Sequence, residues 1–148
     1  MADDKGLSAA ERDAVRQRAA ELRAGSGVKG AAKARREAQA CRDAIAALTG
    51  TDRVVAELLD LVVTQEAPEL APKTWYGFPS YAREGKVVVF FQPAAKFSTR
   101  YGTVGFTEQA RLDVGPMWPT SFAVVEVDDE VETRLRTLVR QAAGNGQR

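Results

Sequence analysis

Residues 73–91, KTWYGFPSYAREGKVVVFF, decide the fold. Ahead of them the apolar residues recur at helical spacing; from Lys73 onward the period becomes two. Trp75 and Tyr76 favour strand, and Gly77-Phe78-Pro79 is expected to interrupt it and reverse the chain. Arg83-Glu84-Gly85-Lys86 reads as a hairpin turn in which Gly85 takes positive φ. Val87–Phe91 is apolar at every position, as in a central strand covered on both faces.

Working back toward the N-terminus, Val55, Leu58, Leu59 and Val62 form an i, i+3, i+4, i+7 stripe, widened by Val54 and Leu61. They predict a helix from Asp52 to about Gln65, capped by Thr51. Ala67-Pro68 and Ala71-Pro72 end it. A second helix is expected from Ala31 to Leu48, with Cys41, Ile45 and Leu48 inward and Lys29, Lys33 and Arg36 on a solvated basic face. Gly25-Ser-Gly-Val-Lys-Gly30 matches G-x-G-x-x-G, but a dinucleotide site needs a strand before the glycines. A helix precedes them here, so the segment reads as a flexible linker. The first helix starts at a capping box, Ser8-Ala-Ala-Glu11, and runs to about Arg23. Leu7, Val15 and Leu22 are its only large apolar residues.

Working forward, Lys96–Val104 alternates Phe97, Thr99 and Tyr101 with Lys96, Ser98 and Arg100, which predicts a strand presenting the second set on an open sheet face. Thr107 can start a helical turn, Asp113–Pro116 is a loop, and Ser121–Val127 is the last strand. Asp129-Glu-Val-Glu132 is a second capping box, opening a helix with Val131, Leu135, Leu138 and Ala142 inward. Helices, then hairpin-linked strands, then a helix give an α+β class: an antiparallel β-sheet with helices packed on one face. The expected organisation is an Ala/Arg-rich helical extension over 1–43, an α+β domain over 44–143 and a flexible tail over 144–148.

Lysine and arginine total 21 against 20 aspartates and glutamates, a net charge of +1. No global field therefore draws the chain to nucleic acid or an anionic membrane surface. No apolar run approaches the roughly 18–20 residues of a membrane helix. The acidic first ten residues do not resemble a signal peptide. The single cysteine, Cys41, cannot pair within the chain and reads as a packing residue, which suits a reducing, cytoplasmic setting. There is no histidine, which excludes a Ser-His-Asp triad, a Cys-His pair and any His-ligated metal.

The run Tyr76-Gly77-Phe78-Pro79-x-Tyr81, with Gly85-Lys86 before the apolar strand, Lys96 beyond it and the closing strand–helix unit, resembles the YdhG-like domain family. The resemblance covers roughly residues 52–143. Phe78 stands where that family commonly has Met or Val. It implies a compact α+β fold comparable with frataxin and, for some members, an iron-chaperone role; it implies no catalytic residues and no particular cofactor.

The leading expectation is a non-catalytic binding module for a small anionic molecule or a protein partner. Its candidate pocket comprises Trp75, Tyr76, Gly77, Phe78, Pro79 and Tyr81, closed by Trp118, with Lys96 and Arg100 as anion anchors. The alternative, iron handling, would use carboxylates at Glu57, Asp60, Glu66 and Glu69, or at Glu126, Asp128, Asp129, Glu130 and Glu132. A third reading is an enzyme with Tyr81 or Lys96 as its acid–base group.

Overall fold

The computed structural model of the chain describes residues 6–25 and 30–145. Residues 26–29 of the linker read over 25–30 and the last three residues of the expected tail lie outside these. Three helices come first: α1 (Ala9–Gly25), α2 (Gly30–Ala46) and α3 (Gly50–Glu66). Five strands follow: β1 (Ala71–Trp75), β2 (Phe78–Arg83), β3 (Lys86–Gln92), β4 (Gly102–Phe106) and β5 (Ser121–Val124). A single turn of helix, α4 (Ala94–Phe97), interrupts them between β3 and β4, and α5 (Asp129–Ala142) closes the chain. The strands form one antiparallel sheet in sequence order, which confirms the α+β class.

Two tight turns set this meander. Tyr76 and Gly77 join β1 to β2 with φ of 54° and 85°, and Glu84 and Gly85 join β2 to β3 with 51° and 83°. Positive φ at both central residues is what a type I′ hairpin requires, and it matches the twist of the flanking strands. The second turn is the expected one. The first differs from expectation, because Phe78 and Pro79 do not interrupt the strand; they begin β2. Trp75 and Phe78 close the hairpin, so the backbone of Pro79 faces β3. Pairing with β3 starts only at Ser80↔Phe90, and the missing N–H falls outside that ladder.

Tyr81 pairs with Val89 and Ala82 with Val87, so Val88 is the extra residue of a bulge. Tyr81, Val89, Phe91, Val104 and Val124 join one core with residues of α2, α3 and α5. From α3 come Val55, Leu59 and Val62, which are at most 1% exposed. Leu58 is half-buried against this core, whereas Val54 and Leu61 face solvent rather than widening the stripe; Ala56 and Val63 are buried in their stead. Helix α2 passes through the boundary expected after residue 43, and its Cys41 and Ile45 lie in the same core as Leu59. A helix that carries two core residues cannot be separated from the domain it fills.

Two caps differ from the reading above. Helix α3 begins at Gly50 behind Thr49, which makes no side-chain cap, and Asp52, in its first turn, does other work described below. Helix α5 is capped by Asp128, one residue earlier than expected, whose carboxylate accepts from the Val131 amide at 2.9 Å. The capping box of α1 forms as read: Ser8 N–H donates to Glu11 at 2.8 Å, and Glu11 N–H to the Ser8 hydroxyl at 3.0 Å. At the far end, Glu66 of α3 holds Arg136 and Arg140 of α5, each at 3.0 Å.

The largest departure is at 96–104. Lys96, Ser98 and Arg100 do not line a sheet face, because the chain coils into α4 and β4 starts only at Gly102. The cause lies forty residues upstream. The buried Asp52 carboxylate accepts from the Ala94 and Ala95 amides at 2.8 and 3.0 Å, which fixes a helical start directly after Pro93. Ser98 then ends the turn in the left-handed region, at φ 56°. The last strand is also shorter than expected, ending at Val124. Among the described residues no helix is long and apolar enough to cross a membrane.

Candidate functional site

In a meander, alternate connections share one end of the sheet. The β1–β2 turn and the β3–α4–β4 connection therefore meet, and α1 crosses both. Its contacts are small or polar. Ala14 is 5% exposed, while Leu7, Val15 and Leu22 remain 42–59% exposed. The Glu21 carboxylate accepts from the Gly77 N–H at 3.0 Å and pairs with Arg18 at 3.4 Å. Gln17 donates to Asp13 at 3.2 Å and, through Oε1, accepts from Lys96 Nζ at 3.4 Å. A Cβ on Gly77 would lie 2.5 Å from Lys96 Nζ and would strike the Gln17 amide. Gly77 thus serves both its turn and this close approach.

Between α1, α2, the first turn of α3 and these two connections lies a cleft of about 790 Å³. Alanines of α1 and α2, with Pro79 and Pro93, form its apolar surface; Gln17, Glu21, Asp43 and Lys96 supply polar groups. Their partners distinguish them. Asp52 spends both oxygens on the α4 amides, Glu21 faces Arg18, and Asp43 accepts from Gln39 at 2.7 Å. Lys96 is half-buried, and among the described residues its ammonium meets only the neutral Gln17 amide and, 5.9 Å away, the face of Phe97. Although Glu21, Asp43 and Asp52 line the same cleft, no carboxylate of the described residues forms an ion pair with it.

Beside the cleft, on the sheet face opposite the main core, the aromatic residues gather. Trp75 lies edge-on to Tyr76, Phe78 and Phe90 at 5.0, 6.1 and 5.3 Å. Phe78 meets Phe97 of α4 at 6.2 Å. The Phe90 ring lies over Gly105, its partner on β4, where any side chain would displace it. Between these rings, Leu7 and the first two turns of α1 is a second pocket, of about 370 Å³.

The structure thus brings together Trp75, Tyr76, Gly77, Phe78, Pro79 and Lys96, and separates the other three residues. Tyr81 is 1% exposed in the core, three positions from Phe78 and hence on the other face. Its hydroxyl donates to Asp60 at 2.8 Å and accepts from the Cys41 thiol at 3.9 Å. Burial above all, then Cys41 and the Asp60 charge, raises the Tyr81 pKa and keeps the phenol protonated. Burial likewise lifts Cys41 to about 11. Arg100 is exposed and stacks 5.0 Å from the Tyr101 ring, away from the cleft. Trp118 sits in the β4–β5 connection, at the opposite end of the sheet, where it lines a separate pocket of about 480 Å³ with Met117 and Phe106. It cannot close a pocket at Gly77.

The acidic ridge is dispersed by its pairings. Glu57 binds Arg53 at 2.9 Å, Asp60 binds Tyr81, Glu66 binds two arginines, and Glu69 holds Arg83 at 3.3 Å. The two arginines hold the Glu66 pKa below its ordinary value. In the second acidic group Asp128 caps α5, and Glu132 pairs with Arg136 at 2.8 Å. Among the described residues no three His, Cys, Asp or Glu side chains gather as metal ligands would.

Sequence reasoning missed Gln17, Glu21, Asp43, Asp52, Phe90 and Phe97. One signal was present: Ala10, Ala14, Gln17 and Glu21 share a helical face of α1, the short, polar face that docks. No protein-family model, curated protein or solved structure matches the chain, so its site rests on this geometry.

Proposed function

We propose that the protein is a non-catalytic binding module that takes a small anionic molecule into the cleft beneath α1, with Lys96 as the anchor. The observation that carries this is the Lys96 ammonium: half-buried, lining a cleft of about 790 Å³, and met, among the described residues, only by a neutral amide and a ring face. An ammonium withdrawn from water without a counter-ion gains most from an anion that enters beside it. The Gln17 amide, fixed by Asp13, orients that ammonium, and the Asp52 clamp fixes the turn that carries it. Titration with acetate and with inorganic phosphate, followed by NMR amide shifts, tests the reading. Gly77, Ala95 and Lys96 should shift in the wild type and stay still in Lys96→Met. Shifts that persist in Lys96→Met, or that avoid these residues, would remove the proposal.

A further inference from the structure

The polar cleft and the aromatic pocket both lie against α1 at one end of the sheet. Three elements contribute to both. Helix α1 gives Val15 to the aromatic end and Gln17 to the polar end; the β1–β2 turn gives Tyr76 and then Gly77; α4 gives Phe97 and then Lys96. The cation and the nearest ring of the aromatic pocket are consecutive residues, with the ammonium 5.9 Å from that ring's centre. A ligand whose anionic group reaches Lys96 therefore has its adjoining atoms at the mouth of the aromatic pocket.

Resting on the reading of Lys96 as an anion anchor, we infer that the ligand is an aryl carboxylate, a ring joined to its carboxylate by a short aliphatic spacer. The carboxylate accepts from the Lys96 ammonium. The ring enters the pocket of about 370 Å³ among Trp75, Phe78, Phe90 and Phe97. These rings already meet one another edge to face or tilted, with centres 5.3–6.2 Å apart. An added ring joins such a cluster in the same geometry, which favours it over an alkyl chain of equal area. The pocket needs no further charge, because its occupant's charge is met one residue away.

The test compares 3-phenylpropionate with propionate, 3-phenylpropanol and hexanoate on the full chain by NMR titration. 3-Phenylpropionate should bind at least tenfold tighter than propionate, since a buried ring contributes about that much or more. It should also bind at least tenfold tighter than the alcohol, which lacks the charge, and tighter than hexanoate. Phe90→Leu should remove the advantage over propionate, and Trp75→Leu should do the same if Phe90→Leu unfolds. Equal affinity for propionate and 3-phenylpropionate would overturn the aryl inference while leaving the anion site standing. Hexanoate binding as tightly as 3-phenylpropionate would overturn the ring preference alone. Binding of the alcohol as tight as that of the acid, or no binding by any carboxylate, would overturn both readings.

Discussion

Phe90 and Phe91 are neighbours on β3, each placed over a glycine of β4, yet they stand in different environments. Phe91 is fully buried beneath the helices, with its ring 2.7 Å from where a Cβ of Gly102 would lie. Phe90 is half-buried on the other face, among rings that Leu7, Glu11, Ala14 and Val15 cover only loosely. The first face is sealed by helices that carry large apolar residues inward. The second is covered by the start of the chain, whose Leu7 and Val15 border the rings yet stay about half-exposed. Close cover by big side chains makes a core; loose cover leaves room, and that room is where both pockets lie.

The strongest way to break this contrast is to truncate each ring. Phe91→Ala should cost about 3–5 kcal/mol in urea unfolding, the range for a ring removed from a closed core. Phe90→Ala should cost about half of that or less, since its site already admits solvent. Equal losses would show that the two faces are packed alike.

A smaller effect separates the core chemically. Burial raises the Cys41 pKa from an ordinary 9.0 to about 11. The unfolded thiol therefore ionises first, and the folded state holds more protons between these values. Stability is at its full value below pH 9 and falls by about 1.4 kcal/mol per unit as pH rises toward 11. The raised Tyr81 pKa adds to the fall above pH 10. Urea midpoints measured at pH 8, 9 and 10 should show this slope, and Cys41→Ala should flatten it between pH 9 and 10. An unchanged slope in the variant would place the thiol in contact with water.

The smallest expected effect comes from deleting residues 1–25. Among the described residues of α1 only Ala14 is buried, so the loss should be on the order of 1–2 kcal/mol and unfolding should stay cooperative. Trp75 emission should shift to the red as water reaches the aromatic face. A lost cooperative transition would make α1 part of the core.

Much of the fold is legible in local pattern. The hairpin at Glu84-Gly85, the apolar run of β3 and the α3 positions Val55, Leu59 and Val62 all follow from period and turn chemistry. The site is less so. The coil at 94–97 depends on a carboxylate supplied by Asp52 from a helix distant in sequence, and no window around Lys96 contains it. Alternation at 96–101 looked like a strand because polar and aromatic residues also alternate along a helical turn and its exit. Two separations were readable in principle. Phe78 and Tyr81 differ by an odd number of strand positions, which puts them on opposite faces. Trp118 lies one connection beyond the β3–β4 link, which puts it at the other end of a meander.

The two hairpin turns share a backbone and differ in what occupies it. Both open with a non-glycine residue in the left-handed region, Tyr76 at 54° and Glu84 at 51°, a conformation that costs roughly 1–2 kcal/mol for most side chains and less for Asn. Glu84 is exposed, and an asparagine there would relax the turn at no loss of packing. Tyr76 meets Trp75 edge to face at 5.0 Å and borders the aromatic pocket, so the same exchange would relax the backbone while emptying the pocket's rim. At the first turn a relaxed backbone and a filled pocket rim therefore oppose each other, whereas at the second the backbone can relax with nothing lost.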